Sequence, residues 1–180
     1  MAALRLTPDQ IKQVSGLVAQ HVTAQRERYA PRGLVLSSQQ KVAMTGFFSP
    51  RLLNTARLVV LQRERLQDPD CYPILKTMGF DNLPIQSDMA AVTFADVVVA
   101  HEPLTNGLLF HELVHMEQYQ QLGIARFSEL YVRGLLSGGN YNSIPLEVHA
   151  YALGVRFEDY PAQQFWVADD VRKWVEKGRF

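Results

Sequence analysis

His111-Glu112-Leu113-Val114-His115 is the stretch of this chain best suited to chemistry. On an α-helix of about 3.6 residues per turn, His111 and His115 lie one turn apart on one face, so their imidazoles can converge on one metal ion. Glu112 is rotated about 100° around the axis, an offset that suits a carboxylate acting on the metal's water rather than on the metal. Neutral imidazole nitrogens suit Zn²⁺. A catalytic zinc keeps a position open for water beside its protein ligands, and a third ligand must then come from elsewhere in the chain.

The helix that must carry these groups is well supported. No proline intervenes from Leu104 to Leu122, and Leu104, Leu108, Leu109, Phe110, Leu113, Val114, Met116 and Tyr119 place apolar groups nearly all round it. Such a helix is buried. Burying His111, Glu112 and His115 without partners is costly, and a metal with its water would satisfy all three. The competing reading is a core helix whose histidines bond backbone carbonyls while Glu112 pairs with an arginine.

Glu147 is the candidate third ligand, in the first turn of a helix opened by Pro145. Ala150, Tyr151 and Gly154 share its face at i+3, i+4 and i+7, and small residues there would let this helix approach the histidine helix closely. An acid in a first helical turn can equally serve the helix macrodipole. His149 competes for the role, but it points to nearly the opposite side, so one of the two can bind and not both. Glu117 and Glu129 are more distant possibilities, ordinarily solvated helix charges.

Around this site the sequence predicts a mostly helical α+β domain. Thr7-Pro8-Asp9-Gln10 combines a cap, an initiating proline and a capping-box glutamine, predicting a helix over 8–29 that stops before Pro31-Arg32-Gly33. His21 falls on its buried stripe as a core or boundary histidine. A short helix follows over 38–45, capped by Ser37. Leu58-Val59-Val60-Leu61 reads as a buried strand, with a helix entered at Ser49-Pro50 as the alternative. Residues 66–90 are irregular, with one helical turn at 74–78. Ala91 to Ala100 reads as a single strand leading to the histidine helix.

Beyond that helix, a further one is expected over 127–136, then a flexible Gly-rich stretch over 137–143, a helix from Ile144-Pro145 to about Phe157 and a last one over about 162–177. The chain divides as one domain, 1–180: N-terminal helices in 1–48, a metal-binding core in 49–158 and a C-terminal helix in 159–180.

Composition narrows the function classes. A chain of 180 residues, 47% hydrophobic and 20% charged, fits one globular domain with a sizeable core. Basic and acidic residues balance at 18 each. Without a basic excess there is no electrostatic footprint for nucleic acid or an anionic membrane, which leaves a polypeptide or small amide as the expected substrate. Cys71 is the only cysteine, so no intramolecular disulfide can form, and its turn-rich surroundings do not mark a reactive thiol. The first ten residues lack an apolar core, and no run approaches the ~18 apolar residues of a membrane span. The expectation is a cytoplasmic protein, with signal-independent export left open.

An HExxH helix followed some tens of residues later by a helical glutamate resembles the gluzincin arm of the zincin peptidases, over residues 91 to 158. Metzincins are excluded, because Gln118 and Gln121 stand where their extended motif needs Gly and His. Ala91-Val92-Thr93-Phe94, then Leu109-Phe110 leading into HELVH with Gln118, then Ile144-Pro145-Leu146-Glu147-Val148-His149-Ala150-Tyr151, is similar to a bacterial group of uncharacterised zinc-peptidase-like domains. Some of those domains accompany toxins or contractile injection systems.

The resemblance implies a zincin-like core, in which a small sheet packs on the HExxH helix beside a downstream Glu-bearing helix. It implies Zn²⁺ on His111, His115 and Glu147, and hydrolysis of a peptide bond with Glu112 taking the proton of the attacking water. Tyr151, His149 and Tyr141 are candidates for the oxyanion donor. The strand preceding the helix could accept an extended peptide at its edge. The chain departs from thermolysin-type enzymes at Tyr151, where those carry an Asp that orients a zinc-bound histidine. That departure motivates the alternative of a non-catalytic binding or assembly module retaining the peptidase fold.

Overall fold

The computed structural model describes residues 6–80, 82–138 and 141–178. Local chemistry explains its first elements. Helix α1 (Pro8–Tyr29) begins at a complete capping box between Thr7 and Gln10, and α2 (Ser38–Met44) repeats the device with Ser37 and Gln40. Strand β1 (Leu34–Val35), absent from the sequence reading, connects them. The Ser49-Pro50 signal starts α3 (Pro50–Thr55), which ends before β2 (Arg57–Val60), so the helix and the strand are both present where the sequence offered a choice. Helix α4 (Tyr72–Thr77) interrupts the irregular connection, with Cys71 buried at its start. Burial raises the Cys71 thiol above its ordinary pKa, away from reactivity.

The run 91–100 is a hairpin rather than one strand: β3 (Ala91–Phe94) and β4 (Val97–Ala100) pair antiparallel. Ala95 takes φ 58° at the turn, a region that costs a side-chain-bearing residue about 1–2 kcal/mol. Arg26 holds the turn in place from α1, its Nε and NH2 donating to the two carboxylate oxygens of Asp96 at 2.7 and 2.9 Å. The sheet order is β1-β2-β4-β3, with β2 and β4 parallel, so β3 is an edge strand.

Both faces of the sheet are covered. Val98 and Ala100 point into a core shared with Leu109, Phe110, Leu113 and Val114, while Val97 and Val99 point into a second core with Val14, Val22 and Phe127. This period-two division explains why β4 is buried at every position. Helix α5 (Asn106–Gly138) contributes to both cores and breaks at Gly123, whose φ 72° and ψ 163° suit glycine. Tyr119 and Phe127 stack across the break, with centroids 3.7 Å apart.

Helices α6 (Pro145–Asp159) and α7 (Val167–Glu176) complete the fold; α7 starts some five residues later than the sequence suggests. Of the stretch expected to be flexible, Ser137 and Gly138 end α5, Tyr141–Ser143 form a 3-10 turn, and Gly139 and Asn140 lie outside the described residues. Among the described residues, no helix is long and apolar enough to cross a membrane.

Candidate metal centre

The first half of α5 presents His111 and His115 toward α6, and Glu147, in the first turn of α6, meets them. All three are buried and could hold a metal ion. The Nε2 atoms of the two histidines lie 3.0 Å apart, and each is 3.3 Å from Glu147 Oε2. A tetrahedral ion with bonds of about 2.0 Å spaces its ligand atoms about 3.3 Å apart, so the triangle has the size of one face of such a site. Two imidazoles and a carboxylate also form a donor set that zinc accepts.

Electrostatics ties the trio together. Burial alone would lower the pKa of His115, but the charge of Glu147 and its hydrogen bond outweigh that and raise it to about 9. Burial would likewise raise Glu147; the charge of His115 and the bonds from both histidines instead hold its carboxyl well below the usual range. Tyr141 adds a hydrogen bond to Glu147.

The approach of α6 has a local cause in Gly134. A Cβ there would lie 2.6 Å from Pro145 Cδ and 3.2 Å from the Ile144 side chain, so any larger residue would displace the start of the helix that carries Glu147. Ala150 is buried on the same side of α6. Gly154, expected from sequence to permit close contact, does not: nothing lies within 4 Å of where its Cβ would be. It lines an open cleft with His111, Glu112, Tyr141 and Tyr151.

Two residues that the sequence reading quoted only within the resembling motifs, without a role, complete the site. Gln118 is fully buried one turn beyond His115. Its Oε1 accepts from His115 Nδ1 at 2.9 Å, and its Nε2 donates to the Leu146 carbonyl at 3.1 Å. The first contact engages Nδ1 and leaves His115 Nε2 facing the trio, and the second fastens α5 to the residue before Glu147. Thr93, on the face of β3 turned toward α5, has its Oγ1 2.6 Å from Glu112 Oε2. The available signal was polarity in buried sequence: a glutamine in a helix apolar all round, and a threonine on the inner face of a strand, each need a partner.

The remaining candidates lie elsewhere or in lesser roles. His149 stacks on Trp174 of α7, with centroids 4.7 Å apart and planes at 5°, outside the trio; burial lowers its pKa to about 4. Glu117 accepts from Gln121, and Glu129 pairs with Arg126 and Arg133. His21 bonds Gln86 at 3.2 Å. Tyr151 is half exposed, its ring 4.5 Å from that of His111, at the cleft. No family model matches the chain, and no curated protein or solved structure matches it either.

Proposed function

We propose that this protein is a zinc-dependent hydrolase of peptide or related amide bonds, built on a gluzincin-like plan. The observation that carries the reading is the metal-sized triangle of His111, His115 and Glu147, set beside a carboxylate, Glu112, that is bonded to Thr93 and faces the open cleft. Bound there, zinc would supply a Lewis acid that polarises the substrate carbonyl and brings the pKa of a water to about 7.

The chain's own groups do the rest. Thr93 occupies Glu112 Oε2, fixing the carboxylate so that its other oxygen can accept a proton from the attacking water. The water oxygen forms a bond to the carbonyl carbon, the carbon–nitrogen bond breaks, and Glu112 returns the proton to the leaving nitrogen. Tyr151, which lines the cleft beside His111, would serve as the hydroxyl donor to the carbonyl oxygen. An extended substrate would pair with the edge strand β3 where it reaches the cleft at Ala91.

A non-catalytic module would be favoured by a histidine left without an orienting partner. Gln118 gives His115 such a partner from within α5, while at the position of the missing Asp the Tyr151 ring packs on His111, with centroids 4.5 Å apart. Glu112→Gln tests the assignment: hydrolysis of a casein or mixed-peptide substrate should fall by at least about a thousandfold while bound zinc, read by atomic emission, stays at the wild-type level. Loss of zinc in this variant would place Glu112 among the ligands and overturn its role.

A further inference from the structure

Two spaces meet the metal centre from different sides. The open cleft touches His111 and Tyr151, whereas a mostly apolar, partly open cavity of ≈ 80 Å³ lies on the side of His115 and Glu147. Its walls come from separate elements: Val18 and Val22 of α1, Phe94 of β3, and Phe127, Val132 and Leu135 of α5 beyond the Gly123 break. Glu112, His115, Glu147 and Tyr141 mark where it borders the centre. His21 and Gln86, which also line it, are bonded to each other and so offer a ligand little. Met89, Ala91, Glu112 and Tyr141 line both spaces, which makes them the threshold between cleft and cavity.

Apolar space left unfilled among core side chains costs stability as its volume grows. One that borders a candidate catalytic centre has a use that a void elsewhere in the core lacks. We propose that it receives an aliphatic group attached to the carbonyl acted on at this site, so that the favoured substrates carry a small apolar side chain or short acyl chain next to the scissile bond. This rests on the hydrolase reading above. A cavity of about 150 Å³ takes a benzene ring, so ≈ 80 Å³ suits roughly three or four carbons and excludes aromatic rings.

The test uses straight-chain alkyl hydroxamates, from acetohydroxamate to octanohydroxamate, titrated calorimetrically against the zinc-loaded protein. The hydroxamate group reports the metal and the chain reports the cavity. Affinity should rise roughly fourfold per methylene to about the pentanoyl compound and then level or fall. Leu135→Phe and Val18→Phe fill the cavity from different elements. In whichever of them melts as the wild type does, the rise should vanish while acetohydroxamate binds unchanged, and Leu135→Ala should move the optimum to longer chains.

A flat chain-length profile in the wild type, or a rise that survives filling, would overturn the proposal. Failure of acetohydroxamate to bind would instead overturn the metal reading. The cavity is then tested alone, by methyl NMR of the metal-free protein with 1-butanol: shifts confined to the lining methyls, those of Val18, Val22, Val132 and Leu135 among them, support it, and unmoved methyls overturn it.

Discussion

Helix α5 places a pair of interacting side chains at i and i+4 on each side of Gly123, and the two pairs live in opposite environments. Before the break, His111 and His115 are buried with Glu147, and every polar neighbour is engaged: Gln118 by His115 and Leu146, Glu112 by Thr93. After it, Glu129 joins Arg133 and Arg126 at 2.8 Å, with the arginine side chains about half exposed. The spacing along the helix is the same. What differs is solvent, which screens the second cluster and would leave any member of the first unsatisfied if a partner were removed. Identical helix geometry therefore carries a candidate site in one half and little more than surface chemistry in the other.

Removing a histidine should have the largest effect. His111→Ala and His115→Ala should each abolish stoichiometric zinc binding. Zinc at a hundredfold excess over its dissociation constant stabilises a protein by about 2.7 kcal/mol, a rise in Tm of roughly 5–10 °C for a chain of this size. Differential scanning calorimetry should show that rise in the wild type and none in either variant. Full zinc stoichiometry in both variants would show that the trio is a structural cluster.

A smaller loss is expected one contact further out. Gln118→Leu removes the acceptor that orients His115 and the side-chain donor that ties α5 to the Leu146 carbonyl, so zinc affinity should fall about 10–100-fold. Gln118→Glu keeps an acceptor for Nδ1 and should lose less. Equal losses in a chelator-competition titration would mean that Gln118 acts through packing alone.

The exposed cluster should barely respond. Hydrogen bonds from Arg126 and then Arg133 hold the Glu129 carboxyl below its ordinary pKa of 4.5. The contribution is therefore present above pH 4.5 and fades as the pH falls through the lowered value. Solvent limits it to about 0.5 kcal/mol, so Glu129→Gln should shift Tm by less than about 2 °C near pH 7, and less still in high salt or acid. A larger shift in thermal melts across pH and salt would remove the contrast between the two halves.

Legibility in the sequence followed the same division between local and distant causes. The boxes at Thr7/Gln10 and Ser37/Gln40 were readable because each signal sits within four residues. The β3–β4 hairpin was not, since its turn puts alanine where glycine would be comfortable and is held by Arg26, 70 positions from Asp96. His111, His115 and Glu147 were legible as candidates because metal ligation restricts residue type and helix face. Thr93 and Gln118 escaped notice as partners because hydrogen bonding accepts many residue types, and only the fold brings Thr93 to Glu112 and Gln118 to Leu146. Gly134, rather than Gly154, admits α6, because the contact depends on how the break at Gly123 turns α5.

The choice of Glu147 over His149 tests the site most directly, because it joins the two helices that define it. Zinc titrations of Glu147→Ala and His149→Ala against a competing chelator should show affinity falling by at least about a hundredfold in the first variant, which loses a ligand, and unchanged within about threefold in the second, whose ring stacks on Trp174. Release of the metal by His149→Ala, with Glu147→Ala still binding zinc, would contradict the ligand set and the hydrolase reading built on it.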